Sequence, residues 1–181
     1  MSARLLVHFL ALAPMALAGT IQYPEVVPGP GLPSLQELGL TTEQLYSMGP
    51  PEPADLEAFS ANFVGKCGPA DAAYTNVNGI IACYHYLKNL GTQRCTTPGN
   101  YKSIEFCHSG DASITGTSLK SNGASSYCRD VASGLLWVVD HCTRPNQSCA
   151  GAQAAGGNGN LVVFGGSKKW TGFITAWVDL A

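Results

Sequence analysis

The stretch SSYCRDVASGLLWVVDHC, residues 125–142, decides the fold. Cys128, Ala132, Leu135, Val139 and Cys142 recur at helical spacing and share one face. The pattern predicts a helix that starts at Ser125 or Ser126 and ends at about His141, with a cysteine near each end. Those cysteines are 14 positions apart, about 21 Å along a helix axis. A disulfide needs Cα atoms within about 7 Å, so each must tie the helix to something else.

Working outward, Ile80, Cys83, Leu87 and Leu90 mark one face of an earlier helix, capped by Asp71 and running to about Leu90. Gly79 weakens its middle. Between the helices lie two strand-like runs, Tyr101 to His108 and Ala112 to Thr117. Pro98-Gly99-Asn100 and Ser109-Gly110-Asp111 supply the turns. Downstream, the Gly-rich run from Gly151 to Gly159 reads as a loop and turn into a strand at Asn160 to Phe164. It lacks the Lys and Ser or Thr that follow a phosphate-binding loop. Trp170 to Val178 reads as a further strand, and the cations and aromatics of Lys168 to Trp177 also suit a membrane interface. The expected class is α+β: two helices packed on one face of an antiparallel sheet, a small disulfide-stapled two-layer α/β sandwich.

All seven cysteines fall between positions 67 and 149. Cys83 faces inward from the first helix and is the natural partner of Cys128. Cys95 and Cys107 flank the Pro98-Gly99-Asn100 turn at hairpin spacing and would staple adjacent strands. Cys67 is then left for Cys142, with Cys149 as the free thiol. The nearest competing scheme puts Cys149 in place of Cys142, and spacing leaves others open.

The chain has 181 residues, 45% hydrophobic and 12% charged, with a net charge of −2. Arg4, the apolar run Leu5 to Ala18 and the ending Ala16-Leu17-Ala18 specify a signal peptide over residues 1–18. The expected location is secreted and extracellular, where cysteines form bridges. Residues 19–65 hold six acids, no Lys or Arg, and seven of the eleven prolines. They form an acidic Pro-rich arm or a pro-segment. Ser34 with Glu37 and Thr41 with Gln44 match capping boxes within it. Residues 66–181, the Cys-rich domain, carry nine basic and six acidic side chains. That charge is too sparse for a nucleic-acid partner. The sequon Asn146-Gln147-Ser148 predicts a surface loop with a glycosylation site at Asn146.

A ribonuclease-type hydrolase would need an acid, a base and a phosphate-binding cation, for which Glu105, His108 and Arg129 are the candidates. Glu105 and His108 are three apart on a strand, which should point them to opposite faces. His85 and His141 lack metal-ligand spacing, and paired cysteines are unavailable as ligands, so no metal or cofactor is expected. A wall-associated, carbohydrate-binding protein is a further alternative.

The order of motifs carries a resemblance. A Cys-bearing helix is followed by Gln93-Arg94-Cys95 and then Ile104-Glu105-Phe106-Cys107-His108-Ser109-Gly110. Ser126-Tyr127-Cys128-Arg129-Asp130-Val131-Ala132 next opens a helix ending in His141-Cys142, and Ala150-Gly151 leads to Gly159-Asn160-Leu161-Val162-Val163. Over roughly residues 67–164 this resembles the fungal killer-toxin fold of the smut killer protein four type. It also resembles the related extracellular effectors known as necrosis-inducing factors. The resemblance implies a monomeric toxin or effector that acts without catalysis on a host or competitor cell-surface component, whether protein, membrane or wall. In the killer toxin, activity is attributed to a Lys two residues before the strand cysteine matching Cys107. Glu105 stands there in this chain and the nearest cation is Lys102, so the effector branch fits better.

Overall fold

The structure is a computed structural model that describes residues 21–53 and 63–170. The signal-peptide segment 1–18 and nearly all of the strand expected at Trp170 to Val178 lie outside the described residues. In chain order the elements are β1 (Val26–Pro28), α1 (Thr42–Ser47), β2 (Lys66–Cys67), a 3-10 turn (Asp71–Ala73), β3 (Thr75–Asn76) and α2 (Val77–Asn89). Then follow β4 (Arg94–Thr97), β5 (Ser103–Ser109), β6 (Ala112–Ser118), β7 (Ala124–Tyr127), α3 (Cys128–Cys142), β8 (Ser148–Cys149), β9 (Gly151–Ala155) and β10 (Asn158–Ser167). The main sheet has the order β1-β5-β6-β10-β9-β2, and β3–β8 and β4–β7 form two small ribbons. The described strand pairs are antiparallel. The fold is therefore α+β, with three α-helices among the described residues and three disulfides.

Of the predicted stripe of α3, Cys128, Ala132, Leu135 and Cys142 are buried and Val139 only partly so, with Val131 and Val138 buried beside them. Helix α2 packs against the same strand: a Cβ on Gly165 of β10 would sit 2.6 Å from Leu135 and 3.5 Å from Ile80. The missing side chain is what lets Leu135 of α3 come this close, while Ile80 of α2 stands at ordinary contact distance. The boundaries differ from the sequence expectation in two places. Asp71 caps no long helix; its carboxylate accepts from Arg144 Nη2 at 2.8 Å. Helix α2 starts at Val77, where Asn76 Oδ1 accepts from the Asn78 N–H. Helix α3 starts at Cys128 because Ala124–Tyr127 pair with β4. Its first N–H groups, on Cys128 and Arg129, donate to Gln93 O and Gly91 O, satisfying helix-end donors without a side-chain cap.

Residues 151–155, expected as a loop, form β9 between β10 and β2. Every residue of β9 is buried. A Cβ on Gly134 of α3 would lie 2.6 Å from Ala154 O, and one on Gly151 would lie 2.7 Å from Cys142 Sγ. Small residues at Gly151, Ala152, Ala154 and Ala155 let this strand lie close under the helix, with Gln153 its one larger side chain, and in sequence the run imitates a flexible linker.

The bridges are Cys67–Cys142, Cys83–Cys107 and Cys95–Cys128. The expected Cys83–Cys128 and Cys95–Cys107 pairs are thus exchanged. Cys95 lies on β4, whose partner is β7 and not β5, so Cys95 stands opposite Ser126 and meets the first residue of α3. Cys83 lies over β5, with its Cα 5.8 Å from that of Cys107. Cys149 is free and buried.

The described part of the acidic segment, residues 21–53, folds onto the Cys-rich domain. Strand β1 pairs with β5, and α1 packs on α2. Both capping boxes form: Thr41 with Gln44, and Ser34 with Glu37. Ser34's backbone N–H and hydroxyl donate to Glu37 and hold its carboxyl below the usual range. Val26 and Leu45 join the main core at 1% and 0% exposure. Tyr86 Oη donates to Pro33 O at 2.7 Å, and His85 Nε2 lies 2.8 Å from Gly49 O. Ile81 of α2 lines a hollow with Tyr23, Tyr46 and Pro50 of the arm and is buried as well.

Candidate functional site

Strands β4 and β7 present one face to the core and one to solvent. Cys95, Thr97 and Ser126 are buried, while Arg94, Thr96 and Tyr127 are exposed. The Cys95–Cys128 bridge fixes the ribbon to α3. On the outer face the Tyr127 ring is flanked by two guanidinium groups, Arg94 Cζ 5.2 Å and Arg129 Cζ 5.3 Å from its centroid. Such contacts hold a cation in place without neutralising it. Arg94 Nε donates to Ser125 Oγ at 3.0 Å, and Ser125 Oγ lies 2.9 Å from Thr96 Oγ1. Among the described residues no carboxylate pairs with Arg94, whereas Arg129 stands 3.7 Å from Asp130.

Two loops extend this face beyond the ribbon. A Cβ on Gly99 would collide with Ser121 O, so the β4–β5 and β6–β7 loops lie against each other. Asn100 and Tyr101 both adopt left-handed backbone, with φ of 57° and 56°. Left-handed backbone is uncommon for an aromatic residue and persists only where its surroundings hold it. It sets Tyr101 out at 43% exposure, next to the exposed Lys102, and Lys120 is exposed on the neighbouring loop. The result is a strip of cations, hydroxyls and tyrosines anchored by a disulfide. The sequence reasoning singled out Lys102 and Arg129 but missed Arg94 and Tyr127. The alternation of Arg94 with Thr96, and of Ser125 with Tyr127, was the available signal.

Glu105 and His108 do not point apart. Strand β5 carries a β-bulge: Glu105 stands opposite Thr115 and Cys107 opposite Ile114, which leaves Phe106 as the extra residue. The bulge shifts the alternation by one, so His108, opposite Ser113, shares a face with Glu105. His108 Nδ1 lies 2.7 Å from Glu105 Oε1, and Ser113 Oγ donates to Glu105 Oε2 at 2.7 Å. Arg129 is not with them but at the start of α3. The other histidines stand elsewhere: His85 is on α2 against the arm, and His141 stacks on Trp137 with ring centroids 4.4 Å apart. The three do not converge.

Asn146 is exposed in the turn before β8, and its Oδ1 accepts from Ser148 N and Ser148 Oγ. Arg144 lies over the Tyr74 ring at 3.3 Å, and Asp71 beside it holds its charge more firmly than usual. Burial pushes the Cys149 thiol up to about 11.

No curated protein and no solved structure matches the chain. A family model matches residues 64–164, more than half of the sequence, from just before β2 into β10. The arm that supplies β1 and α1 lies outside this match. The chain belongs to the family described as a domain of unknown function, DUF8794.

Proposed function

We propose that the chain is a secreted, monomeric protein of the killer-toxin-like or effector kind, acting on host or competitor cells by surface recognition without catalysis. The observation that carries this reading is the strip around Arg94, Tyr127 and Arg129, a cationic and aromatic face held rigid by a disulfide. Arg and Tyr are the side chains that anchor recognition surfaces. A stapled ribbon also loses little entropy when it docks. The signal-peptide pattern of residues 1–18 and the three bridges support release into an oxidising space. The same reading takes the fold as a two-layer sandwich, supported by the approach of Ile80 and Leu135 to one strand at Gly165.

The test applies the purified, oxidised protein to plant leaf tissue and to competing fungi. Necrosis, growth inhibition or saturable surface binding is the expected result, weakened by added salt and by Arg94→Ala. Absence of all three effects in both systems would overturn the proposal. A second reading, a small hydrolase of ribonuclease type, draws on the Glu105–His108 contact, since a carboxylate that orients an imidazole is a recurrent base arrangement. RNA turnover that disappears in His108→Ala would favour it over the first.

A further inference from the structure

The seam between the arm and the N-terminal end of α2 holds two adjoining hollows of about 250 and about 190 Å³. Tyr23, Tyr46 and Asn78 line both. The Tyr23 and Tyr46 rings are stacked, with centroids 4.6 Å apart and planes 14° from parallel. Tyr46 is fixed from below: its hydroxyl lies 2.7 Å from Ser109 Oγ, which itself donates to Pro24 O. The pair forms a flat, preset aromatic ridge between the hollows.

Around that ridge stand two polar side chains, Asn78 and Asp111. The Asn78 side chain is exposed, and among the described residues its amide has no partner, the backbone N–H alone being engaged, by Asn76. Asp111 lines the larger hollow with a side chain 37% exposed, while its Oδ1 is enclosed and out of a ligand's reach. Lys169 Nζ stands 3.6 Å from that oxygen, so the charge is offset although the acceptor is not filled. An aromatic face beside a partly exposed carboxylate and an unused amide matches a sugar ring, whose C–H face stacks while its hydroxyls donate and accept. The Asp111–Lys169 pairing leaves no net charge there to attract an ion. Two hollows about one ridge suit consecutive units of a chain better than a single small molecule.

We propose that this seam is a binding groove for a neutral, hydroxyl-rich oligosaccharide. It lies at the opposite end of α2 from the basic strip and does not depend on it. The family-matched region supplies the polar groups, Asn78 and Asp111, and the arm supplies both tyrosines. The arm is therefore half of the site, and its tyrosines set what the groove accepts.

The test titrates chitotetraose and laminaritetraose separately into the oxidised protein with its arm in place, read by amide NMR shifts. The expected result is saturable shifts at Tyr23, Asn78 and Asp111 with at least one glycan. Binding should weaken about tenfold in Tyr23→Ala and in Asn78→Ala, as expected for losing one group worth about 1.4 kcal/mol, and be unchanged in Arg94→Ala. Asn78 is exposed, so that variant reports even where the arm variant is misfolded. No saturable shift at these residues with either glycan at millimolar concentration would overturn the proposal, as would wild-type affinity in both groove variants.

Discussion

Phe106 is one residue too many for a regular β5, and that surplus makes neighbours of Glu105 and His108. Alternation along a strand is a counting rule, and a bulge resets the count without leaving a turn residue to announce it. The contact was therefore illegible in the sequence, although each residue had been singled out. Cys149 gives a sharper residue-scale expectation. Its thiol is buried against Val138 O, and desolvation holds it protonated to about pH 11 from an ordinary value of 9.0. The unfolded thiol ionises from about pH 9 while the folded one does not, so stability falls as pH rises between those values and is unaffected below them. The loss amounts to about 2 to 3 kcal/mol. Urea titrations at pH 8 and pH 11 should show it in the wild type and not in Cys149→Ala. At pH 8 the native protein should resist iodoacetamide and react only once unfolded.

At the scale of elements, close approach of helix to sheet decides what can be changed. Gly134→Ala would push a methyl group against the Ala154 carbonyl on β9, and overpacking of that kind costs about 1 to 3 kcal/mol. The variant should melt lower with its secondary structure intact by circular dichroism. The bridges rank by the loops they close. On chain entropy alone, Cys67–Cys142, spanning 75 positions, is worth about 4.5 kcal/mol, and Cys83–Cys107, spanning 24, about 3.5 kcal/mol. Paired Cys→Ser variants should lose stability in that order in urea titrations. Helix α3 and the β5–β6 hairpin were legible because periodicity and turn residues mark them locally. The bridge pattern was not, because it depends on β4 crossing to β7, a pairing of residues 31 positions apart that no spacing encodes. Strand β9 was missed for the converse reason, since its alanines and glycines serve packing and carry no strand signal.

At the scale of the whole molecule, the described part of the arm is built into the fold although it lies beyond the family match. Leu45 is fully buried under α1, and Leu45→Ala should cost about 2 to 5 kcal/mol, measured by thermal melting. The capping boxes that start these turns could be read in the sequence. Their docking on α2 could not, because it rests on apolar packing and hydrogen bonds between residues far apart in the chain, which no local pattern encodes. Among the described residues, the two outermost strands of the main sheet are stubs of three and two residues, β1 ending at Pro28 and β2 followed closely by Pro69. Long bare strand edges are what let sheets of different molecules join, and proline cannot extend such a join. The arm therefore also guards against aggregation: without it the seven-residue β5 becomes a sheet border, and concentrated protein would begin to stack edge to edge.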